Sequence, residues 1–311
     1  MDVKLDRATW GNVGGNVWKR DLDGIEWYEN MAADIWPNEH TFLFEQDHSS
    51  ALSALIRGYE ESGSASPGPP PRTMGALAST SSQCRHTFSA SETNSMLTVI
   101  KEKGLPSISQ LAVASHLVVL ARRFPSTTRT RVAYATAVNV RDCLGLATPR
   151  YFGNAFASLS SSFESVHKDE SEEEEGLRVR VCKLASEMSA DARACKDEAE
   201  ERLVVFGKLI KLVRNDVSAG PPPPRHQSMC MSDGLLERYV QRSYASQLHV
   251  EGVHFGCHVH QPYLIGRSAT FRDRLTLSLD YNEAIHKRDE VALLVEEWAS
   301  LLKLAVASTQ H

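Results

Sequence analysis

The stretch SGSASPGPPPRTMG, residues 62–75, constrains this 311-residue chain more than any other feature. Gly, Ser and Pro at this density cannot sustain a helix or a ladder. The chain is therefore expected to divide into a segment 1–61, a flexible linker 62–84 and a larger body 85–311. A second break falls at Gly220 and Pro221 to Pro224, where successive prolines remove backbone donors.

The segments between these breaks mix two periods. Asp23 is placed to cap a helix over 23–38, Phe42-Leu43-Phe44 reads as a short strand, and 51–61 reads as a helix. Trp10, Trp18, Trp27 and Trp36 crowd the first 36 residues, and aromatics this dense are expected to pack against something. Past the linker, Ser89 and Glu92 have capping-box spacing behind Phe88, which predicts a helix to Lys103 stopped by Gly104. Residues 107–123 predict a second, more apolar and buried helix. Strands are predicted at 132–140, 156–163, 229–231, 250–259 and 275–281. The acidic run 169–175 leads into a long helix over 177–213, where negative charge suits a helix start. A helix from about Leu235 and a final one over 287–307 complete the set. Strands and helices mix without strict alternation, so the fold class is α+β rather than a doubly wound parallel sheet.

Bulk composition excludes several functions. The chain is 42% apolar and 23% charged, as globular domains are. Its net charge of −5 argues against nucleic acid, which selects a basic face. No apolar run reaches the length of a membrane span. The charged N-terminus carries no apolar signal region, so a cytoplasmic protein is expected. The six cysteines (Cys84, Cys143, Cys182, Cys195, Cys230, Cys257) form no close pair and read as reduced thiols. A monomer is expected.

Three local patterns carry possible chemistry. Gly11-Asn12-Val13-Gly14-Gly15 lacks the spacing and the Lys-Ser/Thr ending of a phosphate loop. On a strand, His254, His258 and His260 would share one face, and two histidines at i and i+2 can bind zinc. No carboxylate or second cysteine lies close enough in sequence to complete that site, so no metal is expected. Ser232-Asp233-Gly234 reads as a helix N-cap with a tight turn.

Four short motifs follow one another in order. They are Val138-Asn139-Val140-Arg141-Asp142, Tyr151-Phe152-Gly153-Asn154, Ser232-Asp233-Gly234 and Leu277-Ser278-Leu279-Asp280-Tyr281-Asn282. With Val17-Trp18-Lys19-Arg20-Asp21-Leu22 near the start, this set resembles the fungal acyltransferases related to trichothecene 15-O-acetyltransferase. That family is similar in fold to chloramphenicol acetyltransferase, the plant BAHD enzymes and peptide-synthetase condensation domains. The likeness covers 85–305 well and the first 45 residues loosely. It implies a chloramphenicol-acetyltransferase-like mixed sheet with flanking helices. It also implies an acyl-CoA-dependent O-acyltransferase of a secondary-metabolite pathway of the terpenoid or mycotoxin type. Acetyl-CoA or another acyl-CoA would be co-substrate, with no bound cofactor, and a hydroxylated small molecule would be acceptor. Asn139, Arg141, Tyr151 and Asn154 would line the acyl and acceptor tunnel.

The resemblance also implies a catalytic His-His-x-x-x-Asp-Gly motif, whose second histidine takes the acceptor's hydroxyl proton. None of the twelve histidines is followed four residues later by Asp. Aligning Asp47 with the motif's Asp puts Phe42 and Leu43 at the two histidine positions and His48 at the glycine. The expectation is that residues 1–61 are the remnant of an incomplete N-terminal half-domain, with His48 the remaining candidate base. A non-catalytic relative is the alternative reading, and a condensation-type enzyme forming amides on a carrier protein is a further one.

Overall fold

A computed structural model of the chain describes residues 47–65, 67–68, 80–125, 131–139, 156–164, 173–199, 201–202, 204–205, 229–244, 248–259 and 264–307. The helix expected over 23–38, the strand at 42–44 and the tryptophan cluster lie outside them. The chain divides into two compact units. One gathers residues 1–57, 138–158 and 195–221, and the other 58–137, 159–194 and 222–311.

Helix α1 spans Ser49–Ala65. The Asp47 carboxylate accepts the Ser49 backbone N–H at 2.9 Å, satisfying one donor that a helix start leaves free. The helix runs four residues into the stretch expected to be linker. Gly and Ser cost a helix only part of its stability, whereas a proline disfavours the α conformation of the residue before it. The helix accordingly ends just ahead of Pro67.

The second unit is built on a six-stranded sheet ordered β1-β8-β7-β4-β2-β3. Its strands are β1 (Ser81–Thr87), β2 (Arg131–Asn139), β3 (Phe156–Glu164), β4 (Met229–Leu235), β7 (Ile265–Phe271) and β8 (Arg274–Asn282). A two-stranded hairpin of β5 (Ser243–Tyr244) and β6 (Leu248–His249) stands apart. β8 runs antiparallel to β1 and β7, while β4 runs parallel to β7 and β2. The sheet is mixed, as the α+β reading requires.

The helices are α2 (Ala90–Lys103), α3 (Ile108–Arg123), α4 (Glu174–Asp197) and α5 (Arg288–Ala305). The Ser89–Glu92 capping box forms as predicted, and Gly104 closes α2 in the left-handed region at φ 61°. Ser107 caps α3. Residues 111–121 of α3 are all buried, which marks it as the central helix. Trp298 of α5 is fully buried and donates its indole N–H to the Ala112 carbonyl at 2.7 Å. α4 opens with Glu174 and Glu175, where the dipole favours them.

Strand alternation gives the sheet two different faces. Cys84, Leu279, Gly266 and Cys230 lie opposite one another along the register. With Leu275, Leu277 and Tyr281 they join the core formed with α2, α3 and α5. The residues between them point the other way. Gln83 pairs with Asp280, Thr87 with Thr276, and Arg267 with Ser278, so this face is polar.

Three predicted elements are corrected. Residues 250–259 form no regular strand; their β-forming Val and Phe raised that expectation, yet the ladder partner of β8 is β7, which carries a weaker pattern. The helix expected from Leu235 is one 3₁₀ turn, Leu236–Arg238. Ser232-Asp233-Gly234 is no N-cap, because all three lie in β4, with a bulge between Ser232 and Gly234. Gly234 supplies the φ of 68° found there.

Candidate functional site

In the first unit, His48 sits directly before α1. It is 6% exposed, and its Nδ1 lies 3.6 Å from a carboxylate oxygen of Glu201. That separation is an ion-pair distance rather than a hydrogen bond. Asn139 ends β2 and is exposed. Arg141, Tyr151 and Asn154 lie outside the described residues.

In the second unit, the polar sheet face carries a connected network that joins Asp233 and Asp280 of two sequence motifs to Gln83 and Arg267, which lie in none. Asp233, at the bulge in β4, accepts two bonds from the Arg267 guanidinium, Nη2 to Oδ1 at 2.8 Å and Nε to Oδ2 at 3.1 Å. Burial works against the Arg267 charge, and the Asp233 carboxylate more than offsets it, so the Arg267 pKa moves up. Bidentate geometry of this kind is the stronger form of ion pair. Arg267 also reaches the Cys257 sulfur at 3.0 Å and lies 5.6 Å from the Phe255 ring centroid.

Asp280 is the second node. It is 2% exposed. Its Oδ1 accepts from the Gln83 amide at 2.7 Å and its Oδ2 from the Cys257 backbone N–H at 3.0 Å. Burial pushes the Asp280 carboxyl up, against these two bonds and the nearby Arg267 charge. The same Gln83 nitrogen reaches the Phe255 carbonyl at 2.8 Å.

These residues surround a small, solvent-open recess, with Gln83, His254, Phe255, Arg267, Thr276 and Ser278 among its lining. The His254 pKa is drawn down by desolvation and by Arg85. His254 and His258 are both exposed, and His260 lies outside the described residues. Among the described residues, no three His, Cys, Asp or Glu side chains come together as a metal site. Likewise no single helix there is long and apolar enough to cross a membrane.

The architecture has counterparts among known proteins. Trichothecene 15-O-acetyltransferase TRI3 of Fusarium sporotrichioides superposes on 85% of this chain with a TM-score of 0.72 and 17% identity. The epimerization domain of tyrocidine synthetase B covers 89% of it at 0.56 and 10% identity, and the PapA2 acyl transferase 90% at 0.54 and 12%. The fold is that of the chloramphenicol-acetyltransferase-like and condensation-domain-like acyltransferases. In sequence, O-acetyltransferase pigM of Monascus ruber is 36% identical over 93 residues, 27% of this chain and 18% of pigM. No family model matches the chain. The chain spans 53% of the length of the TRI3 chain.

Within this acyltransferase fold, the motif at 277–282 is fully placed. Leu277, Leu279 and Tyr281 face the core. Asp280 holds the polar face, and the Asn282 side chain accepts the Ala284 N–H at 2.9 Å, shaping the turn that follows β8. Gln83 and Arg267 were invisible to motif reading, since a lone Gln and a lone Arg carry no local signal. Strict alternation along 276–282 was the one clue that Asp280 faces away from the core.

Proposed function

We propose that this chain is of the acyl-CoA-dependent O-acyltransferase type. It would accept an acyl group, acetyl first among the candidates, from a CoA thioester and direct it to a hydroxyl of a small secondary metabolite. The observation that carries this reading is the correspondence with TRI3 along 85% of the chain at a TM-score of 0.72, supported by the 93-residue match to pigM. Secondary metabolism as the setting, and a hydroxylated acceptor of terpenoid or mycotoxin type, come from the names of those relatives and from the sequence motifs.

In such a reaction the acceptor oxygen attacks the thioester carbonyl, its proton leaves to a base, and CoA departs as the thiol. A positioned base contributes about 10²–10⁴ in rate. His48 is our candidate, with the Glu201 carboxylate 3.6 Å from its Nδ1. The specific observation favouring a second reading is that Phe42 and Leu43 occupy the aligned histidine positions. On that reading the chain keeps the fold for binding and turns over little. We therefore expect slow transfer from the 311-residue chain. The test is thiol release from acetyl-CoA with a panel of hydroxylated acceptors, comparing wild type with His48→Ala. Transfer that His48→Ala leaves untouched would remove His48 from consideration.

A further inference from the structure

We propose that residues 251–259 form a displaceable strap across the polar sheet face, clamped there by Asp280 and by the Asp233–Arg267 pair. Three features of the second unit lead to this assignment.

The first is how the strap is held. It runs alongside β1 and β8 without joining a ladder. Among its tethers are bonds to side chains of the sheet. The Cys257 N–H bonds Asp280 at 3.0 Å, the Phe255 carbonyl accepts from Gln83 at 2.8 Å, and the Val259 N–H bonds the Ser81 hydroxyl at 2.7 Å. Arg267 adds its contacts to the Cys257 sulfur and the Phe255 ring. A ladder must break cooperatively, whereas tethers of this kind are separate bonds.

The second is what the strap buries. Phe255 is 42% exposed, and of 251–259 only Val259 is fully buried. Displacement therefore uncovers little apolar surface, which places this segment at the low end of local opening free energies. The third is what lies underneath. Thr276, Ser278 and the Arg267 guanidinium line the recess, and of these Arg267 contacts the strap, at Cys257 and Phe255. With the strap lifted, this already open recess would widen around the two hydroxyls and the cation.

The clamping groups are also not interchangeable. Asp280 touches both Gln83 and the strap backbone, while Asp233 acts through Arg267. Removing Asp280 frees the centre of the strap, and removing Asp233 lets Arg267 swing away from Cys257 and Phe255.

Hydrogen-exchange mass spectrometry on the full chain tests the proposal, with wild type, Asp280→Asn and Gln83→Ala compared at one pH. In wild type, amides within 252–259 are expected to exchange at least about tenfold faster than those of 275–281. In Asp280→Asn the strap amides are expected to speed up by roughly tenfold more, while 265–271 and 275–281 stay within about twofold. Gln83→Ala leaves the carboxylate and its bond to Cys257 in place. It is expected to give a smaller rise confined to the strap, and it carries the same test should Asp280→Asn fail to fold. Strap amides as protected as β8 in wild type would overturn the proposal. So would a rise shared equally by the strap, β7 and β8, because Asp280 would then hold the body of the sheet rather than a movable cover.

Discussion

His116 offers the sharpest test of the core. It is 2% exposed in the middle of α3, and its Nε2 has no hydrogen-bond partner. Trp298 lies against the ring at 4.8 Å between centroids. On the sheet side, the ring atoms come within 3.1 Å of where a Cβ on Gly266 would stand, and Cys230 Sγ within 3.0 Å. The Cys230 thiol is itself pushed far up by burial, so it supplies no charge to stabilise an imidazolium. Burial alone lowers the His116 pKa from 6.5 to about 3. The unfolded chain therefore takes up this proton before the folded one does. The stability contributed by neutral His116 is complete above the unfolded pKa and is lost as pH falls toward the folded value. At roughly 1.4 kcal/mol per pKa unit, the full loss approaches about 5 kcal/mol, of which about 2 kcal/mol is gone by about pH 5. Urea unfolding of wild type and His116→Leu at about pH 7.5 and about pH 5 isolates this contribution from all other titrating groups. Wild type should lose about 2 kcal/mol more than the variant over that interval. Equal losses would refute the reasoning, since they would mean that the fold holds the imidazolium as readily as water does.

The same cluster makes Gly266→Ala a demanding substitution. The new methyl would meet Cys230 Sγ and the His116 ring at 3.0–3.1 Å, and overpacking of this kind costs about 1–3 kcal/mol in denaturant unfolding. A smaller effect than about 0.5 kcal/mol would show that the ring has room to move. The β7–β8 turn places Arg272 and Asp273 at φ 49° and 61°, unusual for residues other than glycine or asparagine. Glu237 holds that turn by accepting the Arg272 backbone N–H at 2.6 Å and the Arg242 guanidinium at 2.8 Å. Burial disfavours the Glu237 charge, but these bonds outweigh it and its pKa falls. Glu237→Ala should therefore lower stability by about 1–3 kcal/mol, read as a drop in Tm; an unchanged Tm would mean the turn holds itself.

Much of the helical framework could be read from the chain because its rules are local. Ser89 with Glu92, Gly104, and Ser107 ahead of an apolar run each act within one turn of helix, and each sits where expected. The sheet was harder. β7, with the sequence IGRSATF, has small and polar residues on both faces, and it is a strand because β4 and β8 flank it. Residues 250–259 show the reverse case, with good strand formers left without a ladder because β8 is already paired on both edges. Asp233 reads locally as part of a helix cap, and its partner Arg267 is 34 positions away, beyond any sequence window. His48 was picked out by its place in an alignment, and its proximity to Glu201 depends on a tertiary contact that no spacing encodes.

The acyltransferase reading is a proposal for a chain in which Phe42 and Leu43 stand at the aligned histidine positions. The most direct measurement is acetyl-CoA binding and acceptor-dependent thiol release by the purified 311-residue chain, run beside TRI3 under the same conditions. The account predicts saturable acetyl-CoA binding with transfer slower than that of TRI3 by about 10²-fold or more, the factor a positioned base supplies. Transfer as fast as that of TRI3 and abolished by His48→Ala would contradict it by making His48 a fully competent base, and the absence of saturable acetyl-CoA binding would contradict the acyltransferase reading itself.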